Sequence, residues 1–181
     1  MKHLLLGLLA LTVAPVLCVE SSLIYKRTVP LYEFAESVNI VQSMIQTNSL
    51  GSLLAPEHQH VVQALIANLS PAEIAFQAAI IISELPAFLY FYSVKDSTYN
   101  EDLRNLLNRF ATQHDKDVVC FLINVDEFFK ISELMAVDTT PMLSVINNKK
   151  ELDRFTQCDD LDAVMHWLEQ QLKTAYIIKS C

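Results

Sequence analysis

The sequence predicts an α/β domain, in which helices flank a central mixed sheet, together with a helical extension at the N-terminus. Apolar strands and amphipathic helices alternate between residues 88 and 172, which is typical of parallel strands joined by helices. The segment 117–125 is almost continuously apolar, as expected of a strand covered on both faces. Near the end, Asn147-Asn148 separates two short strands and indicates an antiparallel hairpin that closes the sheet.

The N-terminal segment 1–18 is predicted to be a signal peptide. It has a short polar start and then an apolar run of about ten residues, the length of a signal-peptide core and too short to cross a bilayer. Cleavage is expected near Cys18, and a lipid anchor on Cys18 is the alternative. We therefore expect an exported protein in the secretory-pathway lumen or outside the cell, or in the periplasm of a bacterial host.

The extension, residues 19–60, contains one predicted amphipathic helix over 30–47, with apolar residues at helical spacing. Its apolar stripe needs a cover, which either the domain or a second copy of the chain could provide. The main domain is expected over 61–173, beginning with a strand at 61–66, and a tail over 174–181 should be mobile.

The domain's other elements follow from hydrophobic periodicity and from helix-start signals. Ser70-Pro71-Ala72-Glu73 has the residues of a capping box and starts a helix that should run to about Ser83. The remaining predicted elements are a strand at 88–93, helices at 100–113 and 128–135, strands at 142–146 and 151–155, and a final helix at 161–172.

Composition excludes some classes of partner. The chain is 52% hydrophobic with a net charge of −8, whereas phosphate binding requires clustered Lys and Arg, so nucleic acid is not expected as a partner. After removal of the signal peptide, no remaining segment is long and apolar enough to span a membrane.

From about Val61 to Leu172 the chain resembles a thioredoxin domain. Three motifs carry the resemblance, in the right order and at similar spacing. They are Phe88-Leu-Tyr-Phe-Tyr-Ser93, which matches the strand leading into the redox loop; Ile123-Asn-Val-Asp126, which matches a strand end; and Ala136-Val-Asp-Thr-Thr-Pro-Met-Leu143, which matches the segment through the cis-proline. The resemblance implies a thioredoxin-like fold.

The chain departs from this family at the redox site. Where the family has Cys-x-x-Cys, this sequence has Asp96-Ser97-Thr98-Tyr99. Hydroxyl groups cannot replace the two thiols of disulfide exchange, so we expect no catalytic residues here. Asp96, Ser97 and Thr98 are interpreted instead as N-caps of the helix that begins near Tyr99.

The resemblance implies a groove between Asp96–Tyr99 and Thr140-Pro141, where an extended peptide pairs with the backbone. The sequence thus predicts a redox-inactive module that binds a protein or peptide, in a scaffolding or chaperone-like role. A purely structural role for Pro141, as a cis bond that turns the chain into the hairpin, is the alternative.

The cysteines leave an enzymatic alternative open. Cys158 or Cys181 could serve a single-cysteine thiol-disulfide oxidoreductase, whereas Cys120 lies in an apolar strand and is expected to be a core residue. A Cys158–Cys181 disulfide is a second interpretation. A homodimer linked through Cys181 is a third, since an odd number of cysteines after signal removal leaves at least one unpaired within the chain.

Two weaker motifs lie in the middle of the chain. His58 and His60 could face one side of an extended segment, but no third ligand is nearby, so no metal site and no cofactor are expected. Asn68-Leu-Ser70 has the N-glycosylation pattern, although Pro71 should weaken its acceptance.

Overall fold

A computed structural model describes residues 31–47, 69–77, 80 and 85–180. These residues fall into two compact units. One unit contains residues 31–34 and 85–180 and carries the whole described sheet, and the other contains residues 35–47, 69–77 and 80. The predicted signal peptide, His58, His60, Asn68 and Cys181 lie outside the described residues.

The sheet has five strands in the order β1-β3-β2-β4-β5. Neighbouring strands are parallel from β1 through β3 to β2, and antiparallel from β2 through β4 to β5. The mixed sheet predicted from the sequence is therefore confirmed. The strands are β1 Leu31–Glu33, β2 Ala87–Tyr92, β3 Val119–Asn124, β4 Met142–Asn147 and β5 Lys150–Phe155.

The edge strand β1 corrects the predicted division of the chain. Leu31 pairs with Cys120 and Glu33 pairs with Leu122, so the sheet takes its edge from the segment assigned to the extension. The helix predicted from residue 30 starts only at Phe34. Three extended residues are too few to show a period of two, and the spacing from Leu31 to Phe34 also fits a helix. The strand predicted at 61–66 lies outside the described residues.

Helices in the sheet-containing unit begin and end close to the predicted positions, with one exception. They are α3 Glu101–Gln113, α4 Phe129–Leu134 and α5 Leu161–Ser180. The exception is α5, because it continues to Ser180 through most of the segment predicted to be a mobile tail. Ala175, in that segment, is only 2% exposed, which gives the last turns a buried side that holds them in helical form.

The core of this unit lies between the sheet and helices α3 and α5. Phe88 of β2 is in edge-to-face contact with Phe110 at 5.2 Å and with Trp167 at 6.3 Å between ring centroids. On the opposite face of the sheet Leu89 and Phe121 are also fully buried. Burial on both faces confirms what the continuous apolar strand 117–125 predicted.

The other unit is described through two helices, α1 Phe34–Gln46, whose first residue belongs to the sheet-containing unit, and α2 Pro71–Phe76. Val41 on α1 is 1% exposed, whereas Ile40 beside it is 37% exposed, so the helix is amphipathic as predicted. Helix α2 begins with the predicted capping box, because the Ser70 hydroxyl accepts from the Glu73 amide and the Glu73 carboxylate accepts from the Ser70 amide.

Candidate functional site

The loop after β2 leads from Ser93 to Asn100, and helix α3 is capped by Asn100. The side-chain oxygen of Asn100 accepts hydrogen bonds from the amides of Asp102 at 2.9 Å and Leu103 at 3.1 Å. These are the two amides that an N-cap serves. The interpretation of Asp96, Ser97 and Thr98 as caps is therefore wrong, since they lie in a separate turn before the helix.

Asp126, which follows β3, holds the first half of this loop. Its carboxylate accepts from the amides of Val94 at 2.8 Å and Lys95 at 3.0 Å, and from the Ser93 hydroxyl at 3.0 Å. The pKa of Asp126 is lowered, first by the hydrogen bond from the Lys95 amide and then by those from Ser93 and Val94. Asp126 is the last residue of the Ile123–Asp126 motif, and these hydrogen bonds fix the loop.

Thr98 holds the second half of the loop and joins it to the opposite wall. Its hydroxyl oxygen accepts from the buried amide of Ser93 at 2.7 Å and lies 3.1 Å from the hydroxyl of Thr140. The Thr140–Pro141 peptide bond is cis. A direct hydroxyl contact thus connects the two walls that the sequence predicted to face each other.

Tyr90 of β2 supports the same loop from inside the domain. Its hydroxyl donates to the carbonyl of Thr98 at 3.2 Å and accepts from the amide of Asn100 at 3.1 Å. Burial raises the pKa of Tyr90 to about 12, so the phenol keeps the proton that it donates to a higher pH than an exposed tyrosine does. This role could not be predicted from the sequence, because Tyr90 is one of several aromatic residues in a buried strand.

The space between the two walls is an open groove of about 800 Å³. Asp96, Thr98 and Thr140 line it, whereas Ser97, Tyr99 and Pro141 of the predicted set do not. A third wall, which the sequence analysis missed, comes from α4 and the turn after it. The lining residues of that wall are Phe129, Ser132, Glu133, Ala136, Val137, Asp138 and Thr139, and Val125 completes the groove.

Ser97 and Tyr99 have structural roles in the loop. Ser97 has φ of 53°, a left-handed conformation that lets the loop turn without a glycine. Tyr99 packs edge-to-face on Tyr92 at 5.1 Å and donates its hydroxyl to Glu101 at 2.7 Å. The pKa of Tyr99 is raised to about 12, first by burial and then by the Glu101 carboxylate.

Arg154 of β5 supports the wall formed by α4 and the turn after it. Its guanidinium donates to the carbonyl of Ala136 at 2.7 Å and to the carbonyl of Met135, and it is paired with Glu151 at 2.7 Å. Ala136 has φ of 47°, which ends α4 and starts the segment leading to Thr140. A planar group with several donors suits this position, because it satisfies two helix-end carbonyls and a carboxylate at once.

The two described cysteines are buried free thiols. Cys158 is 1% exposed and donates to the carbonyl of Phe155 at 3.6 Å. Burial, reinforced by the charge of Asp159, raises the pKa of Cys158 to about 11, and burial raises that of Cys120 further still. Neither thiol has the lowered pKa or the exposure that a nucleophilic cysteine needs.

The predicted Cys158–Cys181 disulfide stays a prediction, because Cys181 lies outside the described residues.

In the part of the chain that the structure describes, no group of three His, Cys, Asp or Glu side chains is placed to hold a metal ion. No helix within the described ranges is both long enough and apolar enough to cross a membrane.

Comparison with known proteins adds two solved structures that are similar in fold. The germline-specific thioredoxin Deadhead of Drosophila melanogaster is 17% identical with a TM-score of 0.46, and the match covers 55% of this chain and 90% of that one. The thioredoxin Mala s 13 of Malassezia sympodialis is 13% identical with a TM-score of 0.48, over 55% of this chain and 84% of that one. No protein-family model and no curated protein matches the sequence.

The fold is thioredoxin-like. The order and directions of the strands carry this conclusion, because parallel strands connected by helices form one half of the sheet and an antiparallel hairpin completes it. The arrangement is the one that the motifs at 88–93, 123–126 and 136–143 implied, although its first strand comes from residues 31–33.

Proposed function

We propose that this chain is a redox-inactive, thioredoxin-like binding module that holds an extended protein segment in the groove between the loop 93–100, α4 and Thr140. The observation that carries the proposal is the groove itself. It lies where the family's redox pair would be placed, yet none of its described lining residues is a cysteine, and Asp96, Thr98 and Thr140 are among its polar lining residues.

The backbone of Thr140 supports strand-like binding of a guest peptide. Within residues 85–180, neither its N–H nor its carbonyl has a hydrogen-bond partner, and Thr140 is only half-buried. Free backbone groups at a groove are the requirement for adding an extended segment. Phe129, which is 58% exposed on the groove wall, offers apolar contact to such a guest.

The buried thiols support a binding role over the enzymatic alternative at Cys158. A thiolate must attack a disulfide for exchange to occur, and Cys158 is shielded with a raised pKa. Use of Cys181 and a homodimer through Cys181 or α1 stay predictions. Replacing Cys181 by Ser and measuring insulin disulfide reduction, together with migration on a non-reducing gel, tests both roles of this residue.

The binding proposal is tested with Phe129→Ala and with Leu134→Ala as a matched control. Both are exposed apolar residues of α4, at 58% and 46%, but only Phe129 lines the groove. Binding of fluorescent extended peptides, measured by anisotropy, should weaken about three- to ten-fold in the first variant and stay unchanged in the second. Equal affinity in both variants, or no binding by the wild-type chain, would contradict the proposal.

We also propose that the protein is exported, with residues 1–18 removed. The apolar run after Lys2 and the small residue Cys18 support this. N-terminal sequencing of the protein recovered from its native compartment tests it. A protein that retains Met1 in the cytosol would refute export, and a lipid on Cys18 would support the anchored alternative.

A further inference from the structure

The groove is acidic as well as partly apolar. Three carboxylates line it, on Asp96, Glu133 and Asp138, whereas no Lys or Arg is among its lining residues. All three side chains are exposed. None of them has a hydrogen-bond or ion-pair partner in the described part of the chain, so their charge remains available to a guest.

Arg154, Lys95 and Lys130 carry positive charge close to these carboxylates in space or in sequence, but none of them lines the groove. Arg154 approaches Asp138, but its charge is offset by the ion pair with Glu151 at 2.7 Å. Lys95 and Lys130 are exposed neighbours of lining residues and do not line the groove themselves. The chain as a whole carries a net charge of −8, which attracts cationic partners from a distance.

The groove also has apolar lining residues. Phe129, Val125 and Val137 contribute apolar surface, and Phe129 is 58% exposed. An occupant that matches both features combines apolar side chains with positive charges, since complementary potentials set specificity more than raw affinity.

We propose that the partner of this groove is an extended protein segment that combines basic residues with apolar ones. The inference rests on the proposed function and specifies the chemistry of its ligand. It predicts selection against acidic segments, because a flanking carboxylate would meet Glu133 or Asp138 at close range.

The test uses three peptides with the same apolar centre of Val-Leu-Val and with flanking residues that are all Lys, all Gln or all Glu. At low salt the affinity should fall from the Lys to the Gln to the Glu peptide, by about two- to five-fold for each exposed charge pair. The differences should shrink at 0.5 M salt, an ionic strength at which roughly 4 Å of screening length remains.

Two double variants separate the groove from the overall charge. Glu133→Lys with Asp138→Lys should abolish or reverse the preference. Asp115→Lys with Glu169→Lys, at exposed positions that do not line the groove, changes the net charge equally and should keep it.

Each outcome has one meaning. Equal affinity of the Lys and Glu peptides overturns the basic preference and leaves the proposed function standing. A preference that survives the groove variant, or that disappears in the control variant, overturns it as well. If no peptide binds, the proposed function fails and this inference fails with it.

Discussion

Replacing Tyr90 by Phe tests whether the loop of the groove is held from inside the domain. The ring fits the same space, so only the hydroxyl is lost. That hydroxyl donates to the carbonyl of Thr98 and accepts from the amide of Asn100, at 3.2 and 3.1 Å. Tyr90 is 0% exposed, so no water can take the place of the hydroxyl without repacking around it.

The expected loss of stability follows from these two bonds. A buried polar group left without its partner costs about 1–3 kcal/mol. Thr98 and Asn100 are only half-buried, which favours the lower end for each of them. The two together give a loss of about 2 kcal/mol, or roughly 4–8 °C in Tm for a chain of this length.

The assay is urea unfolding followed through the fluorescence of Trp167, because the chain has one tryptophan and it packs into the same core. Tyr99→Phe is the control. It removes an exposed hydroxyl bonded to Glu101 and should change the free energy of unfolding by less than about 0.5 kcal/mol. A loss below about 0.5 kcal/mol for Tyr90→Phe, or equal losses in the two variants, would refute the reasoning.

Further predictions concern the loop, the alkaline pH range, the buried thiol and the supported wall. Thr98→Val should lower the free energy of unfolding by about 1–3 kcal/mol, because the buried Ser93 amide loses its acceptor. An unchanged free energy in urea unfolding would contradict this. The stability that Tyr90 contributes should be complete below pH 10 and decline towards pH 12, since burial raises its pKa to about 12 from an unfolded value near 10; a Tyr90→Phe variant with an equally steep decline would contradict this. In a variant that keeps only Cys158, Ellman's reagent at pH 8 should react on the order of 100-fold more slowly than in urea, because the folded pKa is about 11, and equal rates would refute the burial of the thiol. Arg154→Lys should lower the free energy of unfolding by about 1 kcal/mol and weaken peptide binding, because one ammonium group cannot reach both the Glu151 carboxylate and the helix-end carbonyls. An unchanged peptide affinity, measured by anisotropy, would show that the α4 wall does not depend on Arg154.

Most of the fold could be predicted from local patterns. The apolar runs of β2 and β3, the stripe of α3 and the capping box at Ser70 each show a period or a cap that a short window contains. β1 could not be found, because its three residues become a strand only by pairing with β3. The end of α5 was placed too early, since burial of Ala175 by tertiary contacts decides whether the last turns remain helical.

The site was predicted in position more than in detail. The two walls at 96–99 and 140–141 come from motifs whose spacing the sequence preserves. Which polar residue becomes the cap depends on where the loop is anchored, and the anchor is Asp126, distant in sequence from the loop it holds. The α4 wall was missed because an exposed Phe129 gives no periodic signal and acquires meaning only from its neighbours in space.

The carboxylate of Asp126 has a consequence for attempts to engineer chemistry into this scaffold. The substitutions Asp96→Cys and Tyr99→Cys would restore a sulfur pair, but not the setting that makes one reactive. The backbone amides of Val94 and Lys95, which could stabilise a thiolate, already donate to Asp126. The first helical turn starts at Glu101, after both substituted positions. Electron exchange at this loop would require moving the negative charge away and starting the helix earlier in the sequence, because two introduced cysteines alone would lack the surroundings that lower a thiol pKa.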